Sequence, residues 1–273
     1  MATLAELRGS RELLVNLTQR EVRGKYKRTA LGQGWSLLNP LAQTLVFTVV
    51  FSQFLRIQPD VGDPSGLRVF ALFLLCGLLP WAFFANVLNG GMVSLLANGN
   101  LVKKVYFPRE VLVAATAFSF NVSFAVELVV LTAAVLAFGA PQVLLFLPLA
   151  VPYVVLLTMF GLGFALALSV VNVYFRDTAQ FVAIATQVWF YLTPIIYPPS
   201  IVPDDLDLAG VAVKPLLELN PMARFVECFR NLFYDNRLPG LADTAYVTVA
   251  AVVSLALGYA VFRRFEGRLA EEL

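Results

Sequence analysis

The stretch Arg20–Pro40, REVRGKYKRTALGQGWSLLNP, decides what kind of fold this chain adopts. Between Arg20 and Arg28 stand five cations, Arg20, Arg23, Lys25, Lys27 and Arg28, against one acid, Glu21. Basic side chains just before an apolar run hold that end of it in the cytosol and favour anionic lipid headgroups. Trp35 falls at interface depth, where an amphipathic ring prefers to sit. Pro40 falls in the first turns of the helix that follows, where a missing N–H does least harm. Everything to the left is too charged to enter a bilayer. From Leu37 onward the chain is too apolar to stay out of one.

The totals agree. With 59% hydrophobic and 14% charged residues in 273, and a mean hydropathy of +0.76, the chain reads as an all-α integral membrane protein. It has no histidine, which removes the commonest metal ligand and general base. Two cysteines, Cys76 inside an apolar run and Cys228 outside one, imply neither a disulfide framework nor a zinc site. The first 36 residues carry ten charges and no apolar core, so no cleavable signal peptide is expected.

Working outward, residues 3–28 predict an amphipathic helix on the membrane surface. Leu4, Leu7, Leu14, Val15, Val22 and Tyr26 lie at roughly helical spacing, interrupted by Arg11. Six spans are expected: about 37–57, 69–93, 111–138, 143–175, 178–197 and 244–262. Pro148 and Pro152 are expected to break or bend the long fourth run. A loop at 94–109 holds a short helix capped by Asn100 and stopped by Pro108. Residues 198–243 are too polar to span and too apolar for a simple loop. There Asn220-Pro221 predicts a helix start, with Met222, Phe225, Val226, Phe229 and Phe233 on one apolar face.

The expected layout is one membrane domain over 1–273. An interface helix occupies 1–36, five spans 37–197, an outer segment 198–243, and the last span with its tail 244–273. With both termini in the cytosol, 14 of the 20 cations lie inside, as the positive-inside rule requires.

No G-x-x-x-x-G-K-[ST] loop is present, so nucleotide phosphates cannot be cradled by that route. Gly161 and Gly163 lie inside an apolar run and read as close helix packing. The pattern R-x-x-x-x-x-Y-x-x-T-x-L-G-x-x-W-x-x-x-x-P from Arg20 resembles the N-terminal signature of the membrane subunits of polysaccharide-exporting ABC-2 type ABC transporters. NLVKKVYFPREVL at 100–112, VNVYFRDTAQF at 171–181, LTPIIYPPSIVP at 192–203 and LNPMARFVECFR at 219–230 resemble further landmarks of that family, in order.

The resemblance implies a transport subunit, not an enzyme. It would be a homodimer of six-span chains in the bacterial cytoplasmic membrane, paired with two ATP-binding cassette subunits that hold ATP and Mg. Its cargo would be a lipid-linked polysaccharide: O-antigen, teichoic acid or cell-wall galactan. Membrane lipids are its other partners, and no nucleic acid is implied. Asn100, Leu101, Lys103, Lys104, Val105, Tyr106, Phe107 and Pro108 would then dock on the ATPase. Asn220, Pro221, Met222, Phe225, Phe229 and Phe233 would form an external gate.

Candidate conduit residues come from chemistry. Sugar C–H faces pack on aromatic planes, and phenol or indole tips meet the hydroxyls. Phe47, Phe51 and Phe54 share one stripe of the first span, and Trp189 and Tyr191 stand close together near the end of the fifth. Glu127 is the single acid within an expected span, and an ionised carboxylate there should face protein or water. Two other function classes stay open: a membrane-embedded glycan-processing enzyme, which needs paired acids or a metal site, and an ion-driven secondary transporter, which needs more ionisable groups within spans.

Overall fold

The computed structural model describes residues 4–25, 27, 29–30, 32, 34–104, 107–203, 207–208 and 211–269, with side chains throughout except at 4–10, 207–208, 211–213, 216 and 268. Ten α-helices are found among them. In order they are α1 (Leu4–Lys25), α2 (Gly34–Phe47, widening into a π-helix over Thr48–Phe54), α3 (Phe70–Ala97), α4 (Gly99–Lys104) and α5 (Glu110–Ala137). Then come α6 (Val143–Tyr174), α7 (Thr178–Tyr191), α8 (Val213–Glu218), α9 (Pro221–Arg230, continued by a π turn over Asn231–Asp235) and α10 (Leu241–Phe265). A single two-residue antiparallel pair, Asp207–Leu208 with Val211–Ala212, precedes α8.

α3 is the axis of the bundle. It is apolar all round, the pattern of a helix buried on every side, and 78% of its most apolar stretch is buried, against 11% for Gly34–Phe54. α5, α6, α9 and α2 pack around it, and α10 packs on α6. The α6–α10 crossing is made by glycine. A Cβ on Gly258 would lie 2.6 Å from the carbonyl carbon of Gly163, and one on Gly163 would run into the backbone of Ser254. Among lipid tails, helices gain from close backbone packing rather than from leaving water, so small residues mark their contacts.

The apolar face of α9 is a different case, because this ten-residue helix is not a span. Met222, Phe225, Val226, Phe229 and Phe233 are all fully buried against the bundle, each phenylalanine contributing roughly 2 kcal/mol if its alternative is water. Its start follows the expected chemistry. Asn220 Oδ1 accepts the Met222 N–H at 3.0 Å, and Pro221 opens the helix. A second, smaller core closes the opposite end of the bundle, joining Leu17 of α1 to Leu95, Val102, Leu112, Val170, Phe262 and Leu269.

Three expectations need correction. The fifth run, expected to span 178–197, is helical only to Tyr191. Fourteen residues rise about 21 Å, short of the ~30 Å hydrocarbon core. Pro194 and the Pro198-Pro199 pair cannot continue the ladder. Among the described residues five helices are by themselves long and apolar enough to cross a membrane, and the expected 178–197 run is α7 continued by irregular chain through Tyr197. Second, Pro148 and Pro152 do not break α6, which is helical throughout Val143–Tyr174. Four apart, the two prolines share one exposed face near the helix start, so the freed carbonyls turn outward without interrupting the helix. Third, α4 begins at Gly99, so Asn100 lies inside it and is not its cap.

Candidate functional site

A cleft of about 790 Å³ lies between α2, α3, α5 and α7. Each helix supplies a stripe at helical spacing. From α2 come Ser36, Asn39, Gln43 and Phe47; from α3, Trp81, Asn86 and Asn89. From α5 come Phe120, Ser123 and Glu127; from α7, Thr186, Gln187, Phe190 and Tyr191. Positions 36, 39, 43 and 47 follow i, i+3, i+7, i+11, and 120, 123 and 127 follow i, i+3, i+7, so each set looks one way.

Polar atoms here sit among aromatic faces. Phe47 stacks on Phe190 with ring centres 6.4 Å apart, and Phe190 meets Trp81 at 5.6 Å and Tyr191 at 5.3 Å. Asn89 Nδ2 donates back to Ala85 O at 2.8 Å. Glu127 is buried and is the one carboxylate in the wall. On the α2 and α7 side the wall is open: Asn39, Gln43, Gln187 and Tyr191 are exposed. The cleft is a groove on the face of this chain that the bundle leaves bare.

Of the conduit residues chosen from sequence, Phe47, Glu127 and Tyr191 meet in this cleft. Phe51 packs edge-on against Phe47, and Phe54 is 76% exposed. Neither lines the cleft. Nor does Trp189. Its ring lies among Trp81, Phe84, Phe160 and Phe164, and its Nε1 donates to Asn220 Oδ1 at 2.8 Å. Asn220 Nδ2 in turn reaches Thr193 Oγ1 at 2.9 Å and Leu192 O at 3.3 Å. Trp189 and Asn220 thus stitch the end of α7 to the start of α9. The amides Asn39, Gln43 and Gln187 were missed in sequence, although polar residues at three- and four-residue spacing inside apolar runs were the signal that could have found them.

The proposed gate residues Asn220, Pro221, Met222, Phe225, Phe229 and Phe233 lie together on and beside α9, beneath a charged depression of about 530 Å³. At its base Arg230 is buried, lying 3.7 Å over the Phe73 ring and donating to Ile195 O at 2.8 Å. Burial draws its guanidinium down to about 10. Asp235 pairs with Arg237 at 3.2 Å, yet burial outweighs that partner and raises its carboxyl to about 6.

At the other end, α4 is seated by the buried Val102, with Leu101 and Phe107 half-buried and Asn100, Lys103, Lys104 and Pro108 outward. Val105, Tyr106 and Arg28 lie outside the described residues. Arg20 donates to Asn98 Oδ1 at 2.6 Å, tying α1 to the turn before α4. Arg23, Lys27 and Trp35 are exposed. Lys25 is not: its Nζ stands 2.9 Å over the Phe120 ring, and burial lowers it to about 7.

Comparison with known proteins gives consistent matches. The chain is 32% identical to the O-antigen export system permease protein RfbA of Myxococcus xanthus, over 97% of this chain and 96% of that one. It is 27% identical to an O-antigen export system permease protein RfbA of Klebsiella pneumoniae, over 96% and 95%. It is 23% identical to the polysialic acid transport protein KpsM of Escherichia coli, over 90% and 91%. Residues 12–234 match the ABC-2 type transporter family, and with most of its length so matched the chain belongs to that family.

Proposed function

We propose that this chain is the membrane subunit of a bacterial exporter that carries a lipid-linked polysaccharide across the cytoplasmic membrane. The observation that carries the reading is the cleft: a continuous surface of amides, hydroxyls and aromatic planes at bilayer depth. Stacking on aromatic planes tolerates whichever sugar comes next, so a polymer advances without being gripped at one point. The names of the relatives supply the polymer class. A second copy of the chain, facing the bare α2–α7 side, would turn the groove into a conduit.

The α1 end faces the cytosol in this reading, since Arg20, Arg23, Lys27, Lys103, Lys104, Arg263 and Arg264 gather there. Both termini are then cytosolic, with α7 and the irregular chain after it together making the sixth crossing. ATP and Mg belong to two separate ATP-binding cassette subunits that dock at α4, where outward Lys103 and Lys104 follow the seated Val102. A glycan-processing enzyme would need a pair of acids in the cleft, and the described lining offers one.

Deleting the gene tests the reading. Surface glycan should disappear, lipid-linked glycan should collect on the cytosolic leaflet, and the intact gene should restore both. Unchanged surface glycan, with no internal accumulation, would refute it.

A further inference from the structure

The charge of the cleft restricts the polymer. Ten cations and acids crowd the depression over α9, yet among the described residues lining the 790 Å³ cleft there is one carboxylate, Glu127, and no lysine or arginine. Lys25 comes to its α1 end, over the Phe120 ring, but is not part of the wall. The rest of the polar lining is amide and hydroxyl, above all Asn39, Gln43, Asn86, Asn89 and Gln187.

We infer that the exported polymer is uncharged along its repeat, with no carboxylate, phosphate or sulfate in each unit. The inference rests on the export reading above and narrows its substrate. An anionic repeat would bring a charge to mid-bundle depth at every step, where moving a bare charge is costly. Recognition of carboxylate or phosphate in such a place calls for arginine or lysine. Among its described lining residues the cleft has neither. Glu127 does not alter this, because ionised it repels an anion and protonated it supplies no counter-charge. Completion of the conduit by a second copy only repeats the same lining. A diphosphate at the lipid end enters once per chain and can travel along the lipid-facing rim, whereas an acidic repeat loads the cleft throughout the polymer. Asparagine and glutamine each present donors and acceptors, which suits a neutral sugar carrying hydroxyls of both roles. A phosphodiester chain of teichoic type is excluded on the same ground.

Two measurements test it. The surface glycan lost on deletion and regained on complementation is analysed for uronic and sialic-type acids, phosphate and sulfate. A neutral repeat is expected, and an acidic group in every repeat overturns the inference while leaving export itself intact. If no glycan is lost and none accumulates inside, the export reading falls and this inference with it. In the second measurement the native lipid-linked glycan and a copy with its primary alcohols oxidised to carboxylates are presented to the complex reconstituted with its ATPase. The oxidised glycan should move at least about tenfold more slowly, and Gln187→Lys should recover at least about threefold of that loss. Equal rates for the two glycans overturn the inference. A loss that Gln187→Lys leaves unchanged overturns the cleft as its cause.

Discussion

At the scale of single residues, Trp189 shows how a chemical type can be read correctly and its direction missed. A tryptophan beside a tyrosine suits a sugar path, but Tyr191 reaches the cleft and Trp189 does not. Two positions apart on a helix they point about 160° away from each other, and the partner that captures the indole, Asn220, is 31 residues on. Asn220→Ala removes the cap of α9 and orphans the indole N–H together, so it should destabilise the folded chain by about 2–3 kcal/mol. Trp189→Phe keeps most of the ring packing and loses one hydrogen bond, about 1 kcal/mol. Thermal unfolding of the purified protein in detergent checks the order, and a larger loss in Trp189→Phe would contradict it. Asp235 gives a pH dependence. Its folded value, about 6, lies above its ordinary 3.8, with Arg237 and the Asp63 N–H favouring the ionised form but burial prevailing. The fold therefore holds the protonated acid better. That contribution is whole below about pH 3.8 and is lost as pH rises through about 6. Relative to their intrinsic exchange rates at each pH, amides of residues 221–236 should be more protected at pH 5 than at pH 7.5, and Asp235→Asn should flatten that difference in protection.

At the scale of elements, α6 and α10 meet backbone to backbone, with Ser254 Oγ donating to Phe160 O at 2.8 Å beside the glycines. Gly161 and Gly163 were legible as packing residues because glycine inside an apolar span has few other uses. Gly161 faces Val87 of α3, whereas the partner of Gly163, Gly258, was not legible, since nothing in the chain marks which of the later small residues crosses over it. Gly258→Ala forces the helices apart and should cost about 3 kcal/mol, seen as loss of monodisperse protein on gel filtration after mild heating. Retention of wild-type thermal stability would show that the crossing can give way. α4 follows the same logic at smaller scale. A short helix was expected there from Asn100 and Pro108, yet Asn100 is not its cap, and the residue that seats it, Val102, shares a core with Leu17, from a helix some 80 residues earlier.

At the scale of the whole molecule, one chain leaves a groove open. Phe181, Ile184 and Val188 form a second, apolar stripe on α7, more than half exposed, beside the polar stripe that enters the cleft. A second copy laid against this side would cover it. Single cysteines at 181, 184 and 188 should yield disulfide-linked dimers in membranes on mild oxidation, and a cysteine at Leu145, exposed on α6, should not. The native Cys76 and Cys228 are buried and do not interfere. Chains that stay monomeric at all three α7 positions would refute this surface. The sequence by itself determined the class of fold, the ends of most spans and the start of α9. Those depend on hydropathy, charge and capping, which act within a few residues along the chain. It did not determine that α7 stops short, that Trp189 turns away from the cleft, or that four separated polar stripes make one surface. Those were decided by tertiary structure, because the direction a side chain faces is settled only by the helices packed around it.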